Sequence, residues 1–329
     1  IVNAKGDEEE VVHGAVIVAT GGEEYKPSEY LYGKHGSVIT QRELEKMIAT
    51  GSGELDSVRT AAMIQCVGSR TEENPLCSRV CCSLAVKNAI RLKEKSPDVD
   101  VYVLYRDMRT YGFAEDYYRK ARELGVIFVR YEEDEPPAVS SDGEGISIEV
   151  RDHIINKKFR LSTDMLVLSA GIRPRPDSPA LAQMLKVPLD VSGFFLEAHV
   201  KLRPVDFASD GIFLCGLAHS PKAMEESISQ AKGAAARANV ILSKEEIEGG
   251  GVVCRVIEDR CRGCEWCKDV CEFGAIEMVE GEGALKVAHV NPVMCKGCGT
   301  CSAVCPSGAI VAQHFTSEQI GSMIEALTG

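Results

Sequence analysis

The chain has 329 residues, 45% of them apolar and 26% charged, which is enough for two or three domains with a sizeable core. Its 37 basic against 49 acidic residues leave a net charge of −12, which argues against a nucleic-acid polyanion as the main partner. That surplus reads either as plain solubility or as docking to a basic partner. No apolar run approaches the roughly 18–20 residues that cross a bilayer, so no transmembrane segment is expected.

In chain order, residues 11–22 (VVHGAVIVATGG) read as a buried strand running into a glycine turn. TQRELEKMIA, residues 40–49, predicts a helix with Thr40 as N-cap and Glu43 closing a capping box. A Gly/Ser turn at Gly51, Ser52 and Gly53 precedes a strand at 60–69. Residues 81–95 carry helical spacing, with Leu84, Ala85, Asn88, Ala89 and Leu92 as the stripe. A strand at 98–107, a helix at 115–125 ended by Gly125, and the VIFVRY strand follow. Such alternation predicts βαβ units and a mostly parallel sheet.

Residues 133–160 read as a polar β-meander with a turn near Asp142 and Gly143, and 163–176 as a buried strand entering a proline-broken loop. After GIFLCG (211–216), residues 224–242 predict a helix packed through small side chains, and Gly249, Gly250 and Gly251 mark a linker. The chain opens on Ile1 without a charged-then-apolar leader, which fits a processed chain, a fragment or half of a split protein, with nothing directing export.

Twelve of the fourteen cysteines fall in three tight groups; Cys215 and Cys254 stand apart and read as structural. Tight grouping suits metal rather than a disulfide framework, and with it a reducing cytoplasm or its organelle equivalent. CRGCEWCKDVC from Cys261 and CKGCGTCSAVC from Cys295 repeat one unit, C-x2-C-x2-C-x3-C, each followed by x-x-Gly-Ala-Ile. Soft thiolates at this spacing wrap a cuboidal 4Fe–4S cluster, and the fourth cysteine of each run serves the other cluster. The expected ligand sets are therefore Cys261, Cys264, Cys267 and Cys305 for the first cluster, and Cys295, Cys298, Cys301 and Cys271 for the second. Zinc is the competing occupant, although zinc sites use separated cysteine pairs. Glu272 stands where Pro306 closes the second run, which removes no ligand. Val270, Ile276, Val304 and Ile310 are expected to pack around the clusters, and Trp266 to shield one from water.

The third group, Cys66, Cys77, Cys81 and Cys82, follows C-x10-C-x3-C-C. Were 78–92 helical, Cys77 and Cys81 would share a face one turn apart, with Cys66 arriving from the preceding strand. Spacing leaves a metal site, free buried thiols and a redox disulfide open. AMIQCVGSR lacks the GxGxxG of a dinucleotide site at this strand-to-helix edge, so no NAD site is expected.

VIVATGG (16–22) and DGIFLCG (210–216) resemble the FAD-contacting stretches of flavoprotein disulfide reductases, although each alone also reads as a core strand ending in glycine. ATGG is followed by CVGSR, CSRVCC, YGFAEDYYRKARELGVIFVRY, LSAGIRPRPD, GIFLCGLAHSPKAMEESISQAKGAAARA and the two ferredoxin repeats. In that order the chain resembles the A-type subunit of heterodisulfide reductase from about residue 10 onward. The resemblance implies an α/β fold: a partial, Rossmann-type, thioredoxin-reductase-like flavoprotein domain followed by an α+β bacterial-type two-cluster ferredoxin domain. Residues 1–56 and 176–248 would form the two segments of the FAD-binding domain. Residues 57–175 would form a NAD-domain-like α/β region carrying the cysteine motif, and 249–329 the ferredoxin domain.

The resemblance also implies FAD contacts at Ala19, Thr20, Gly21, Gly171, Arg173, Gly216, Leu217, Ala218, Lys222 and Glu226, and a third cluster on the Cys66 group. It implies an oxidoreductase subunit that passes electrons between FAD and clusters, with flavin-based bifurcation among its uses. Its implied partners are heterodisulfide-reducing subunits, a hydrogenase or formate dehydrogenase module, and ferredoxin. The GxGxxG unit that holds the adenosine half of FAD is missing, so either another chain supplies it or FAD binding here is incomplete. The alternatives are a flavin-free, polyferredoxin-like relay or docking subunit, and a quinone- or hydrogenase-linked subunit with ordinary flavin chemistry. His219, beside the second glycine loop, reads as a hydrogen-bonding residue, with proton relay as the alternative.

Overall fold

A computed structural model describes residues 10–143, 145–246, 252–281, 286–292 and 294–328. The expected linker at Gly249, Gly250 and Gly251 lies outside them. The strand expected over 11–22 is shorter than its apolar run: only β1 (Val16–Val18) and then β2 (Gly22–Glu24) are extended in ladders. β3 (Val38–Thr40) leads into α1 (Gln41–Thr50), whose capping box forms as expected. Glu43 N–H donates to Thr40 Oγ1 (3.3 Å), and Thr40 N–H to Glu43 Oε2 (2.6 Å).

β4 (Thr60–Val67), α2 (Cys81–Lys95), β5 (Asp100–Tyr105), α3 (Ala114–Glu123) and β6 (Ile127–Arg130) continue the alternation. The antiparallel meander β7 (Ala138–Asp142), β8 (Gly145–Asp152) and β9 (Lys157–Thr163) then returns the chain to β10 (Met165–Ala170), buried along all six residues. The resulting five-stranded sheet is parallel throughout, in the order β3-β10-β4-β5-β6. Helices cover one face through Leu44, Ala85, Val86, Ala89 and Ile90, and the meander covers the other through Ile146, Ile148 and Val150. Two covered faces explain why β4 and β10 are apolar runs rather than alternating ones. Asn88 is the polar member of the α2 stripe, and its Nδ2 donates to Gln41 O (3.0 Å) and Oε1 (2.8 Å), tying α1 to α2. Tyr118 packs edge-on against Phe128 (4.7 Å between centroids), whereas its neighbour Tyr117 stands 60% exposed.

β11 (Ile172–Pro174) pairs antiparallel with β2, and α4 (Ser178–Leu185) follows. β12 (Ile212–Leu214) pairs parallel with β1, and α5 (Met224–Leu242) packs on that pair through Ala234 and Ala238. Asp206, buried beneath α5, accepts from Arg237 Nε (3.0 Å) and Nη2 (2.9 Å), so the carboxylate enters the interior with its countercharge.

The last unit comprises β13 (Cys254–Val256), α6 (Trp266–Asp269), β14 (Ile276–Glu280), β15 (Lys286–Val290), α7 (Thr300–Val304), β16 (Ile310–Ala312) and α8 (Ser317–Thr328). β13 pairs with β16 and β14 with β15, both antiparallel. Sulfur makes much of its core: Cys254, Cys267 and Cys301 pack with Ile276, Ala288 and Ile310. Val270 and Val304 are only half-buried and lie outside that cluster, and Trp266 is 57% exposed, so these three do not supply the shielding expected of them. Among the described residues no helix is long and apolar enough to cross a membrane.

Candidate cluster and flavin sites

The two cysteine runs interleave. One small cavity is lined by Cys261, Cys264, Cys267 and Cys305, and the other by Cys295, Cys298, Cys301 and Cys271, with Cys254 as a fifth sulfur. Each run thus gives three thiols to one cavity and its fourth to the neighbour. Backbone amides also point at sulfur: Ala288 N–H reaches Cys261 Sγ (3.5 Å) and Cys254 N–H reaches Cys295 Sγ (3.4 Å). Ala275 N–H reaches Cys271 Sγ (3.3 Å) and Ala309 N–H reaches Cys305 Sγ (3.2 Å). Donors aimed at sulfur stabilise thiolate charge and tune cluster potential. Burial and the neighbouring thiols push Cys301 up to about 12, so loading this site with metal must displace protons.

The contacts obey a local pseudo-symmetry. Gly263 and Gly297 both sit at left-handed φ (66° and 64°), and a Cβ there would land 2.5 Å from Lys286 O and 2.3 Å from Val252 O. Only glycine lets the C-x-G-C loop pass that close to backbone. The symmetry fails at the N-caps of α6 and α7, where Glu265 (φ 64°) stands in the place of Gly299 (φ 79°). Glu265→Gly is expected to stabilise the domain by about 0.5–1 kcal/mol, because a side chain in left-handed backbone is strained. Denaturant titration followed by cluster absorbance would check it.

The third cysteine group is built by a different local route from the one expected. α2 begins at Cys81, so Cys77 lies before the helix rather than on its face. Cys66, next to last in β4, has φ 63°, which turns its side chain out of the strand alternation. Burial and the Cys82, Cys66 and Cys77 sulfurs together push the Cys81 thiol far up, and burial pushes Cys82 up to about 11. The four sulfurs lie within electrostatic reach of one another. Donors face them: the Arg70 guanidinium, whose Nη1 lies 4.0 Å from Cys66 Sγ, and the Arg79 backbone N–H, which donates to Cys77 Sγ (3.3 Å).

The flavin-motif residues fall on two adjoining ladders. β1 runs into Ala19, Thr20 and Gly21, and its parallel partner β12 runs into Gly216, Leu217 and Ala218. Both turns therefore leave the carboxyl ends of a parallel pair, the edge where α/β sheets bind ligands. Gly21 (φ 82°) and Gly216 (φ 68°) have open space where a Cβ would stand. Gly171 O accepts from Tyr25 N–H (2.8 Å), and the Arg173 guanidinium lies 5.0 Å from the Tyr25 ring centroid. Lys222 is buried and donates Nζ to Gly216 O (2.7 Å) and Ser220 O (3.0 Å), locking the second turn. Glu226 caps α5 at Ala223 N–H (3.2 Å) and pairs with Arg79, which joins α5 to the cysteine loop. His219 makes hydrogen bonds to Glu197 (2.8 Å) and Gln230 (2.6 Å), and Gln230 Oε1 accepts from Gly216 N–H (3.0 Å).

Burial and the Arg79 cation push Lys222 down to about 8. An unfolded lysine holds its proton to about pH 10.4, so between those values the unfolded chain binds more protons and stability rises with pH. Relative to Lys222→Met, the wild type is expected to gain about 1–2 kcal/mol between pH 7 and pH 10, read as paired thermal-unfolding midpoints.

A cavity of about 260 Å³ joins the flavin-motif and cysteine regions: Gly22, Ile172 and Leu217 line one side, and Val80, Cys81 and Leu84 another. Of the expected FAD contacts only Leu217 lines it; Glu226 faces a separate cleft along α5 with Val205, Gln230 and Arg237. Sequence reasoning missed Gln41 and Ser169, which also line the cavity and whose Nε2 and Oγ are buried without partners among the described residues. A glutamine directly after an N-cap, where the apolar stripe should begin, was the available signal for the first. Ser169, inside an apolar strand, gave none.

Residues 260–309 match the 4Fe-4S dicluster domain family. The chain is 43% identical to the A-type subunit of the H(2):CoB-CoM heterodisulfide,ferredoxin reductase of Methanothermobacter thermautotrophicus, over 97% of this chain and 50% of that protein. It is 40% identical to the A-type iron-sulfur subunit of the CoB--CoM heterodisulfide reductase of Methanocaldococcus jannaschii, over 98% and 51%. The structure of T. acidophilum thioredoxin reductase aligns with 70% of this chain and 66% of its own, at TM-score 0.46 and 14% identity. The chain spans about half the length of the curated relatives it matches, and along that half it belongs to the family of heterodisulfide reductase A-type subunits.

Proposed function

We propose that this chain is the electron-carrying part of a heterodisulfide-reductase-like oxidoreductase, holding two 4Fe–4S clusters in its C-terminal domain, a third on Cys66, Cys77, Cys81 and Cys82, and FAD against the β1 and β12 turns. The observation that carries the reading is the cavity whose walls are Leu217 on one side and Cys81 on another. A ligand there touches a flavin-motif residue and a cluster-motif residue at once.

The residues present fit both groups. The ferredoxin-domain sulfurs rim two cavities, which suits a cuboidal cluster better than a single zinc ion. Gly21 and Gly216 leave backbone open at the carboxyl edge, and Gln41 Nε2 and Ser169 Oγ offer unspent polar atoms to a heterocycle. FAD, when bound, supplies exchange between electron pairs and single electrons. The chain's own residues do the rest: Lys222 holds the Gly216 turn, the apolar walls exclude water, and amides aimed at sulfur set the clusters' charge balance.

The proposal extends to partners that donate or accept single electrons: heterodisulfide-reducing subunits, a hydrogenase or formate dehydrogenase module, ferredoxin, and a further polypeptide segment holding the adenosine half of FAD. Bifurcation at the flavin is the most specific form of this reading. A reducing cytoplasm suits a chain whose cysteines are all unpaired among the described residues. Anaerobically isolated protein with its partner chains is expected to hold about twelve irons and about one FAD per copy, by iron assay and acid-released flavin. About four irons or fewer, or zinc instead, overturns the reading; full iron without flavin leaves the relay.

A further inference from the structure

Cys254 belongs to neither C-x2-C-x2-C-x3-C run, yet it lines the second cavity beside Cys271, Cys295, Cys298 and Cys301. The residue is 4% exposed, its backbone N–H donates to Cys295 Sγ (3.4 Å), and it packs with Cys295 and Cys301. A 4Fe–4S cluster offers four irons, and four cysteines satisfy them. A fifth sulfur in the same wall has no iron to bind and keeps its proton, and a buried S–H needs an acceptor. The acceptors within reach are the ligand sulfurs themselves.

The first cavity has no fifth thiol, and its hydroxyl contact, Ser307 Oγ with Cys305 Sγ (3.6 Å), is matched in the second set by Thr300 Oγ1 with Cys298 Sγ (3.5 Å). The contact that Cys254 N–H makes with Cys295 Sγ (3.4 Å) is made there by Ala288 N–H with Cys261 Sγ (3.5 Å). Lys286 O and Val252 O, each two residues earlier, crowd the corresponding glycines Gly263 and Gly297. Ala288 and Cys254 therefore occupy equivalent places, and the repeat differs there by one sulfur.

We infer that Cys254 is a non-ligating thiol that donates S–H to a ligand sulfur of the second cluster, Cys301 or Cys295, and raises that cluster's potential relative to the first, where Ala288 holds the same position. The inference rests on the two-cluster reading. Reduction adds negative charge to the cluster and its sulfurs, and a donor aimed at sulfur stabilises the reduced form more. The domain is thus polarised, and an electron shared between the two clusters rests on the second.

The test is potentiometric titration of the intact complex, with cluster reduction read by electron paramagnetic resonance and iron counted alongside. Cys298→Ala identifies the second cluster as the signal it removes. Cys254→Ala is expected to keep its iron and to lower the reduced-to-oxidised ratio of the second cluster about tenfold at fixed poise, equivalent to about 59 mV for a one-electron couple. Cys254→Ser, which keeps a donor, is expected to restore most of that shift, and Ala288→Cys to move the first cluster upward. An unchanged ratio in Cys254→Ala overturns the inference. So does loss of about four irons in that variant, which would make Cys254 a ligand. Wild-type protein without these clusters overturns the two-cluster reading itself, a result that iron counting separates from either.

Discussion

Cys305→Ala is expected to empty the cavity lined by Cys261, Cys264 and Cys267 while leaving intact the cluster bound by the rest of its own run. Iron should fall from about twelve to about eight per copy, since one cuboid loses a corner ligand. Anaerobic alkylation and mass mapping should then find Cys261, Cys264 and Cys267 reactive, and Cys295, Cys298 and Cys301 still protected. The reasoning is geometric: Cys305 shares its cavity with the first run, and Cys271 with the second. Protection lost in the second run instead would show that each run closes on itself, and the crossed ligand assignment would be wrong. Electron traffic through the domain should fall severely either way, so the location of the damage discriminates and its size does not.

Gly68→Ala should be the most damaging single methyl addition in the α/β part. Gly68 follows Cys66 and Val67 at φ 66°, and a Cβ there would lie 2.1 Å from Cδ1 and 2.3 Å from Cε1 of the Tyr25 ring. Left-handed strain and the displaced ring together should cost about 2–4 kcal/mol. Tyr25 also carries Arg173 over its ring and donates its N–H to Gly171 O, so its displacement disturbs two expected flavin contacts. Thermal unfolding and flavin retention of the variant would measure both consequences. Adding Tyr25→Ala should recover part of the stability, because the clash then has no ring to meet; strict additivity of the two changes would rule out this explanation.

Much of this was legible in the sequence, because the signals were local. The capping box at Thr40 and Glu43, the α2 stripe, four of the five parallel strands (all but the three-residue β3) and the limits of α5 follow from periodicity and end chemistry acting over a few residues. What escaped depended on tertiary packing. The apolar run before Gly21 looks like a long strand, but only Val16–Val18 finds a ladder partner. Cys77 has helical spacing to Cys81, yet the helix starts only at Cys81 and a loop through left-handed Arg79 brings Cys77 in. Cys254 looked like an isolated core residue because its partner Cys295 lies some forty residues downstream. Trp266 misled for the opposite reason: proximity in sequence to Cys264 and Cys267 did not place its ring on the cavity wall.

The loop between β4 and α2 occupies the berth where a nucleotide-binding sheet would seat the pyrophosphate of a soluble hydride carrier. Here that berth is lined with sulfur, and Arg79 and Glu226 rivet it to the long helix behind the second glycine turn. A disturbance of the sulfur-lined loop would therefore be passed along the long helix to the second glycine turn, because the same ion pair holds both ends.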